Sequence, residues 1–437
     1  MFVSGNMVSS LVNEKRAKEY LERHNLEAFI SSSRVNTTYL TDFDCLAHVH
    51  DRSYNVVPGS GDDFVQSYGI YTKSGEKSLI IPRSMQFVAL QEKNKTKNQY
   101  AYGKPLSFRS DSPKYHTKIE EEYESMIRSG DNNYESAHEA LCAAVDAFIG
   151  GSGSIGVDLL EMSPGTKEKL SSSFPDLKIK KANETFRFLR MVKSTEELRR
   201  LETSSSIVEK SLEDIIERIR PGVSEIEVKR TFIQSVVANG GMFEEGHFMV
   251  PHGSMAGAMT TPTNEVFVNN SSGWLDCGCT YQGYFSDIGE SFALGHVDEK
   301  VSKVYEVLNN VIEHCEQVVS PGMRCSELNA EALKIWDRSG VSAPPTGMGH
   351  GLGLEVHEYP RISAAKGDAI RNSSAIKDDI IEASIDIPFE DGMVLAIEAP
   401  YMKWGWGGVH VERNIVVGKN GSKRLSNQPR HLRRIDY

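Results

Sequence analysis

The chain has 437 residues, which is enough for two or more domains, and its 39% hydrophobic and 25% charged residues are ordinary for a globular protein in water. A formal net charge of −11 argues against a nucleic acid or an anionic membrane as partner. No run of about 18 apolar residues occurs, and the N-terminal stretch shows no basic segment followed by an apolar one, so we expect neither a transmembrane helix nor a secretory signal.

The first part of the chain alternates between helix and strand patterns, which predicts an α/β domain over residues 1–185. The segment EKRAKEYLERHNLEAFISSS, residues 14–33, predicts an amphipathic helix that runs into a strand. The segment SYGIYTKSGEKSLIIPRS, residues 67–84, predicts two strands around a Ser-Gly turn. Residues 94–135 are polar with little periodicity and predict a surface excursion. A helix that ends at glycines follows at residues 135–151, and strand, helix and strand patterns complete the domain.

Longer helices predict a second domain over residues 186–437. Two pairs of residues have the capping-box pattern that starts a helix: Ser194 with Glu197, and Ser224 with Glu227. Two further helices are predicted near residues 298–319 and 325–339. Strand and hairpin patterns follow each pair of helices, so the order helix, helix, strands occurs twice and suggests an internal duplication.

The segment TYQGYFSDIGESF, together with the preceding WLDCG, predicts a β-hairpin that carries two acids. With the hairpin centre between Tyr281 and Gln282, Asp276 and Asp287 lie directly across from each other, with Cβ atoms about 5 Å apart. Like charges at this distance are destabilising, and the aromatic neighbours add a desolvation cost. A bound cation removes both penalties, whereas a solvated surface pair is the alternative for either acid pair taken alone.

The cysteines carry little chemical signal. Six cysteines in a chain of this length do not suggest a disulfide framework, so a reducing cytoplasm is the expected location. Cys277 and Cys279 have C-x-C spacing, which is weak evidence for a metal site. Because no second cysteine pair is nearby, we interpret them as small residues of a strand.

A second hairpin near the end of the chain repeats the pairing of acids. The segment MVLAIEAPYMKWGWGGVHVERNIVV predicts strand, turn and strand, with Glu398 and Glu412 symmetric about Gly405. The glycine-rich GMGHGLGLEVHEYP adds His350 and His357 where the backbone can approach a ligand closely. Four carboxylates and one imidazole form an oxygen-rich ligand set, and four negative charges balance two divalent cations. Two such metal ions polarise a carbonyl and activate water, so the sequence predicts a two-metal site.

Several segments resemble the creatinase/aminopeptidase P/prolidase superfamily, whose members include the pita-bread metallopeptidases. The opening KRAKEYLERHNLEAFISSSRVNTTYLTDF is similar to the N-terminal domain of that family. The catalytic part is similar in five blocks that occur in the family's order: FLRMVKSTEEL, LDCGCTYQGYFSDIGESF, GHGLGLEVHEYP, GMVLAIEAP and GGVHVERNIVV. The resemblance covers nearly the whole chain.

The resemblance implies an α/β (α+β) protein with two domains. A creatinase-type α/β domain would precede a pita-bread domain with a curved antiparallel sheet and pseudo-twofold duplication. The family also implies a homodimer, in which the N-terminal domain of one subunit helps to close the site of the other. A small molecule or a short peptide is the expected substrate.

The resemblance also implies a role for each candidate residue. The metal ligands would be five residues: Asp276, Asp287, His350, Glu398 and Glu412. Glu398 would also accept the proton of the attacking water, and His357 would hydrogen-bond the substrate or the tetrahedral intermediate. Two divalent ions are implied, with manganese as the expectation and iron, cobalt or zinc as alternatives.

Three departures from the Xaa-Pro peptidases concern the residues that would bind substrate. Thr346 stands where those enzymes usually have a histidine, and His410 stands where they usually have an arginine. They also have a histidine about 17 to 21 residues before the first aspartate, whereas here His252 lies 24 residues before Asp276. His252, with Thr346, His357 and His410, is therefore a candidate for substrate binding, although a structural role for His252 is the alternative.

A fourth departure is the long polar segment at residues 361–391. It connects the HE.P block to the IE.P strand and is longer than the usual connection. A surface loop and a lid that shapes the substrate pocket are the two readings of this segment.

Three functions fit these residues. The first is a dinuclear metallohydrolase that cleaves a C–N bond in a small amide or peptide, with Xaa-Pro dipeptidase or aminopeptidase activity as its familiar form. The second is a metal-dependent non-peptidase of the same superfamily, similar to dimethylsulfoniopropionate lyase or ectoine hydrolase. The third is a binding protein on a degenerate pita-bread fold, which the presence of all five ligands disfavours.

Overall fold

The computed structural model describes residues 10–45, 65–91, 96, 98–105, 110–112, 114–129, 133–344, 347–363, 379 and 386–436. The helices of this part of the chain are α1 (Glu14–Arg23), α2 (Arg34–Thr41), α3 (Gln86–Gln91), α4 (Lys118–Ser129), α5 (Ala137–Ile149), α6 (Pro164–Ser173), α7 (Asn183–Met191), α8 (Thr195–Ile216), α9 (Glu225–Ala238), α10 (Glu299–Val318) and α11 (Cys325–Ser339). None of these helices combines the length and apolar character needed to cross a membrane.

The strands of the described residues are short in the first part of the chain. They are β1 (Ala28–Ser31), β2 (Tyr68–Thr72), β3 (Lys77–Pro82), β4 (Asn98–Tyr102), β5 (Asn133–Tyr134), β6 (Gly153–Val157), β7 (Leu177–Lys181), β8 (Phe248–Met249), β9 (Ser271–Cys277), β10 (Thr280–Tyr281), β11 (Tyr284–Phe285), β12 (Ile288–Leu294), β13 (Gly349–Gly351), β14 (Glu358–Arg361), β15 (Val394–Lys403), β16 (Gly407–Gly418), β17 (Gly421–Arg424) and β18 (Arg433–Ile435). Two compact units divide the described chain between Arg190 and Met191, with Asp379 belonging to the first. The domain division predicted at residues 185 and 186 stays a prediction.

The first unit is built on a mixed sheet of seven strands in the order β5-β4-β3-β2-β1-β6-β7. Strands β1, β2 and β3 pair antiparallel, and the outer pairs are parallel. The small residues Ala137, Ala140 and Ala144 of α5 pack against the strand residues Ile30 and Ile155 in one buried cluster. The helix ends where Gly150 takes a left-handed conformation, as the glycines predicted.

The surface excursion predicted at residues 94–135 is wrong for residues 98–102, whereas residues 103–105 and 110–112 are exposed as predicted. Strand β4 pairs parallel with β3, and its Ala101 and Tyr102 are buried. Helix α4 and strand β5 also fall in this range. The sequence hides β4 because it begins with the polar residues Asn98 and Gln99, which leaves too few apolar residues to show a period.

The second unit has a larger sheet of nine strands. Seven follow in the order β14-β13-β15-β16-β12-β9-β8, while β17 pairs with β16 and β18 pairs with β12. All pairs are antiparallel except β12 with β18. Val208 and Leu212 of α8 and Phe232 of α9 share a buried cluster with Leu275 and Ile288 of the sheet. These two helices therefore cover one face near β9 and β12.

Both capping boxes predicted from the sequence are confirmed. At α8 the Ser194 side chain accepts from the Glu197 amide while the Glu197 side chain accepts from the Ser194 amide. The same reciprocal pair forms at α9 between Ser224 and Glu227. The helices predicted near 298–319 and 325–339 are confirmed as α10 and α11.

The register predicted for the first acidic hairpin is wrong by two residues. Asp276 pairs with Gly289, not with Asp287, and Tyr281 pairs with Tyr284. The turn is therefore Gln282-Gly283, where both residues have positive φ, 49° and 84°. This is the type I′ turn that fits the twist of paired strands, and glycine favours its second position. A slip of two residues keeps every side chain on its face, whereas a slip of one would not.

The register predicted for the second acidic hairpin is confirmed. Glu398 of β15 pairs directly with Glu412 of β16, and Lys403 pairs with Gly407 at the tip. The Trp406 amide donates to the Lys403 carbonyl, and Gly405 between them has a φ of 79°. The predicted segment 361–391 lies for the most part outside the described residues, as does Thr346.

Candidate metal centre

Three acids and one glycine form a row that crosses four neighbouring strands. Asp276 on β9 pairs with Gly289 on β12, Gly289 pairs with Glu412 on β16, and Glu412 pairs with Glu398 on β15. Side chains of paired residues point to the same face of a sheet, so the three carboxylates lie on one face. The row gathers acids from parts of the chain more than 100 residues apart.

Gly289 keeps the middle of this row open. A Cβ added there would lie 2.5 Å from His410 Cδ2 and 2.8 Å from Glu412 Cβ, which are closer than real Cβ contacts. The side chains of His410 and Glu412 therefore occupy the space above this glycine. Any larger residue would push them out of position.

Asp287 and His350 complete the cluster from outside the row. Asp287 lies two residues before Gly289, and its Oδ2 is 3.6 Å from His350 Nε2. His350 Nε2 is also 4.0 Å from Glu412 Oε1. His350 Nδ1 lies 3.0 Å from the Gly351 carbonyl and donates to it, which leaves Nε2 without a proton in the neutral ring. The lone pair of Nε2 therefore faces the acids, as a metal ligand requires.

Burial makes four ionised carboxylates unfavourable here. Burial, with the charge of Asp287, raises the pKa of Asp276 to about 8. Burial likewise raises the pKa of Glu398 to about 7 and that of Glu412 well above its usual range. Asp287 is the exception. Burial opposes its ionisation, but the charge and hydrogen bond of His247 outweigh burial and lower the pKa of Asp287 to about 2.

Divalent cations fit this donor set. Two buried and two partly buried acids repel one another when ionised, and an ion among them replaces that repulsion by attraction. The set also offers one imidazole nitrogen with a free lone pair, so oxygen and nitrogen ligands meet on one face. All five residues predicted as ligands are thus brought together: Asp276, Asp287, His350, Glu398 and Glu412.

His357 lies beside this cluster on an exposed position. Its ring meets the ring of His350 edge to face, with centroids 4.1 Å apart, and its ligand atom lies within 4.8 Å of those of His350 and Asp287. Burial lowers the pKa of His357, so the neutral ring predominates near neutral pH. The next residue, Glu358, holds the backbone beside His357 in place. It forms a buried ion pair of 2.7 Å with Lys193 and accepts from the Leu354 amide.

The other residues predicted for substrate binding have different surroundings. His252 contacts Glu225 through Nδ1 and the Val266 carbonyl through Nε2, both at 3.1 Å, and its described contacts do not include the acids. His410 is buried in the acid cluster, with ligand atoms of Asp276, Glu412 and His410 within 4.8 Å of one another. Burial lowers the pKa of His410.

His247 is a residue of the cluster that the sequence patterns missed. Its Nε2 lies 2.9 Å from Asp287 Oδ1, and its ligand atom groups with those of Asp276 and Asp287. A Cβ at Gly278 would lie 2.0 Å from His247 Cε1, so this glycine makes room for the ring. His247 lies 29 residues before Asp276, outside the window in which the resemblance placed a histidine. The available signal was the short strand β8 after it, which pairs with β9 and carries His247 to the acids.

The family of the chain follows from its match to known sequences. A family model described as metallopeptidase family M24 matches residues 199–419, which is more than half of the chain. The chain belongs to metallopeptidase family M24. A second model, described as the creatinase/prolidase N-terminal domain, matches residues 15–192 of this M24 protein. The resemblance found in the sequence is confirmed, and so is the expectation of a metallohydrolase.

Individual relatives agree with the family match. The M24 protein is 28% identical to the Xaa-Pro dipeptidase of Pyrococcus horikoshii over 317 residues, which cover 68% of this chain and 83% of that enzyme. It is 28% identical to an uncharacterised peptidase of Bacillus subtilis, YqhT, over 64% of this chain and 74% of the relative.

Solved structures show the same fold as the M24 protein. The prolidase from Pyrococcus horikoshii OT3 has a TM-score of 0.69 with 22% identity, and the alignment covers 96% of this chain and 99% of that one. The X-Pro aminopeptidase from Thermotoga maritima has a TM-score of 0.66 with 17% identity, over 97% of this chain and 99% of that one. The expected α/β architecture with a C-terminal pita-bread domain is confirmed.

Proposed function

We propose that the protein is a dinuclear metal-dependent hydrolase that cleaves an amide bond in a short peptide, with an Xaa-Pro dipeptide as its best substrate. The observation that carries this proposal is the row Asp276–Gly289–Glu412–Glu398, joined by Asp287 and His350 on one face of the sheet. Four acids held together, two of them buried and two partly buried, are costly without cations, so their presence supports a site that holds them.

The five clustered residues would hold the ions, which is a role the sequence predicted for them. Bound divalent ions supply Lewis acidity toward a substrate carbonyl and toward water. Asp287 lies between His350 and His247, and His247 favours its ionised form, so Asp287 would hold metal as a carboxylate. Manganese is the first metal to test, as the resemblance implies.

Glu398 is the best candidate to move the proton. It is only partly buried, whereas Asp287 and Glu412 are buried, so an incoming substrate can reach it. A carboxylate that substrate can reach can accept a proton from water and, once protonated, return it to the leaving amine. Glu398 would take the first proton and deliver it to the amide nitrogen.

His357 is suited to hold the substrate. Its ring is exposed and stands next to His350, while the Lys193–Glu358 ion pair fixes the adjacent backbone. A neutral imidazole at this position can donate a hydrogen bond to a carbonyl oxygen that gains negative charge. His357 would therefore position the scissile carbonyl during attack.

The names of the relatives favour peptide hydrolysis over the lyase alternative. The relative from Pyrococcus horikoshii is named as an Xaa-Pro dipeptidase, and that from Bacillus subtilis as a peptidase. Thr346 and His410 differ from the usual Xaa-Pro pattern, so the assay must compare dipeptides with and without proline. A cytoplasmic location and a homodimer stay predictions from the sequence.

A direct assay tests the proposal. The protein would be loaded with manganese, its metal content measured, and hydrolysis followed on Ala-Pro, Gly-Pro and matched dipeptides without proline. We expect release of free proline in wild type and its loss in Glu398→Gln, with the two proteins compared at the same measured metal occupancy. Full metal occupancy without cleavage of any of these dipeptides would overturn the peptidase proposal.

A further inference from the structure

His410 is a buried imidazole without a hydrogen-bond partner. Its side chain is 2% exposed, and neither Nδ1 nor Nε2 has a hydrogen bond within the described part of the chain. A buried polar atom that lacks a partner costs about 1–3 kcal/mol. The ring therefore lacks the stabilising contact that buried polar groups nearly always have, and a bound ligand would supply it.

The backbone of His410 is held firmly in this position. Its amide donates to Ser291 Oγ and the Ser291 hydroxyl donates back to its carbonyl, both at 2.8 Å. Both contacts lie on the neighbouring strand β12, so the strand pair β12–β16 fixes the residue. The unpartnered ring is thus not a consequence of a loose segment.

The ring points into the acid cluster. His410 and Glu412 are two residues apart on β16 and share a face of the sheet. His410 Nε2 lies 2.6 Å from the Cβ that Gly289 lacks and 3.5 Å from Glu412 Oε2. Its ligand atom lies within 4.8 Å of those of both Asp276 and Glu412. Ligand bonds of about 2.0–2.2 Å bring such a trio within reach of one ion.

We propose that His410 is a sixth protein ligand of the metal centre, on the side formed by Asp276 and Glu412. This inference rests on the proposed function in one respect, that the acid cluster holds two ions. It adds a nitrogen donor to the carboxylate pair Asp276 and Glu412, whereas His247 groups with Asp276 and Asp287. His350 serves the other position, beside Asp287.

The additional nitrogen has a consequence for the choice of metal. Imidazole ligands favour zinc, iron and related borderline ions, whereas an all-carboxylate set suits manganese and magnesium. His410 should therefore raise the affinity of this position for cobalt and zinc more than its affinity for manganese. A merely structural role of His410 would weaken all metals alike when the ring is changed.

Metal titration of the full-length protein tests the inference. Two variants remove the ligand nitrogen: His410→Phe keeps the bulk of the ring, and His410→Gln keeps a polar group. His252→Gln serves as the control, because His252 is also buried and bonded to a carboxylate, Glu225, yet has no described contact with the acids. Cobalt binding would be followed by its visible absorption and manganese binding by the loss of its free-ion resonance signal.

We expect the His410 variants to lose more affinity for cobalt than for manganese. His410→Phe should weaken one of two cobalt equivalents by at least about 10-fold, change the cobalt spectrum, and weaken manganese less. His252→Gln should bind both metals as wild type does. The inference is overturned when His410→Phe and His410→Gln bind cobalt with wild-type affinity and spectrum. It is also overturned when cobalt and manganese weaken equally.

The same titration separates this inference from the proposed function. A wild-type protein that binds two ions, with variants that bind them equally well, overturns the role of His410 and leaves the hydrolase intact. A wild-type protein that binds neither metal overturns both. Thermal unfolding of each variant identifies one that fails to fold, and the other variant then carries the test.

Discussion

The two acidic hairpins of the second unit differ in how they bring carboxylates together. In β15–β16 the acids Glu398 and Glu412 face each other directly across the strand pair. In β9–β12 Asp276 faces a glycine, and Asp287 stands two residues before that glycine, next to the start of its strand. One hairpin thus supplies an opposed pair, and the other supplies a staggered pair with an open space between.

The two acids of the staggered hairpin differ in pKa. Asp287 reaches histidines on both sides, His247 at 2.9 Å and His350 at 3.6 Å. Burial acts to raise the pKa of Asp287, but the charge and hydrogen bond of His247 outweigh burial and lower it. Asp276, Glu398 and Glu412 have raised pKa values. Each hairpin gives two acids to the cluster, and of these four acids one has a lowered pKa and three have raised pKa values.

The largest loss of activity is expected when an acid of the opposed pair Glu398 and Glu412 is changed. Glu398→Gln keeps the shape of the side chain but removes the proton acceptor, so kcat/KM for the best dipeptide should fall roughly 10²- to 10⁴-fold. Steady-state kinetics at measured metal occupancy checks this. Asp391→Asn is the control, because Asp391 is an exposed acid just before β15 that contacts only Lys419 in the described ion pairs. Equal activity of Glu398→Gln and wild type would contradict the role given to the opposed pair.

The open space in the staggered hairpin should be the next most sensitive feature. Gly289→Ala places a Cβ within 2.8 Å of His410 and Glu412, so it should abolish tight metal binding and cost about 1–3 kcal/mol of stability. Gly405→Ala at the tip of the other hairpin meets no atom within 4 Å but has a φ of 79°, so it should cost only backbone strain. Metal titration and chemical denaturation distinguish the two, and a normal metal affinity in Gly289→Ala would contradict the proposed row.

The unequal acids predict an unusual dependence on pH. A raised carboxyl pKa gives stability that is complete below the unfolded pKa of about 4 and is lost as the pH rises through the folded value. The metal-free protein should therefore unfold at progressively lower temperature as the pH rises through about 7 and 8, the folded values of Glu398 and Asp276. Added metal should raise the unfolding temperature more at pH 8 than at pH 6, since the ions replace the protons.

Asp276→Asn provides the matched variant for this dependence. Its amide resembles the protonated acid, so the metal-free variant should lose less stability with rising pH than wild type does. The same variant should bind metal more weakly at every pH. Calorimetry with chelator at several pH values measures how the unfolding temperature of each protein changes with pH. Parallel slopes for wild type and variant would show that Asp276 is ionised without metal.

The smallest effect is expected at the turn of the staggered hairpin. Gln282 has a φ of 49°, a left-handed conformation that costs about 1–2 kcal/mol for most residues but less for asparagine. Gln282→Asn should raise the free energy of unfolding by up to about 1 kcal/mol, reduced by the loss of the Arg199 contact to the Gln282 side chain. Gln282→Val should lower it. Denaturant titration checks both, and a stabilising Val would argue against the type I′ turn.

Much of this centre could be predicted from the sequence, because the information is local. The capping boxes at Ser194 and Ser224 mark helix starts within four residues, and the symmetric spacing of Glu398 and Glu412 fixes their register. The five residues predicted as ligands came from residue type and motif, and the structure brings them together.

The remainder depends on where the chain turns and on what packs across it. The position of the turn at Gln282-Gly283 decides whether Asp276 meets Asp287 or Gly289, and spacing alone does not reveal it. His247 reaches Asp287 only because β8 pairs with β9 and Gly278 leaves space, which are facts about neighbouring strands. His252 has the same residue type but its partner Glu225 comes from α9, so sequence distance to the acids was misleading.

The row of acids across four strands has a consequence for how the protein is made. Asp276 leaves the ribosome long before Glu412, which belongs to one of the last strands of the chain. A nascent chain therefore carries Asp276 before the other acids of the row exist. On the proposed function, metal would bind only after the sheet is complete, so a cell short of the right ion would accumulate folded but inactive protein.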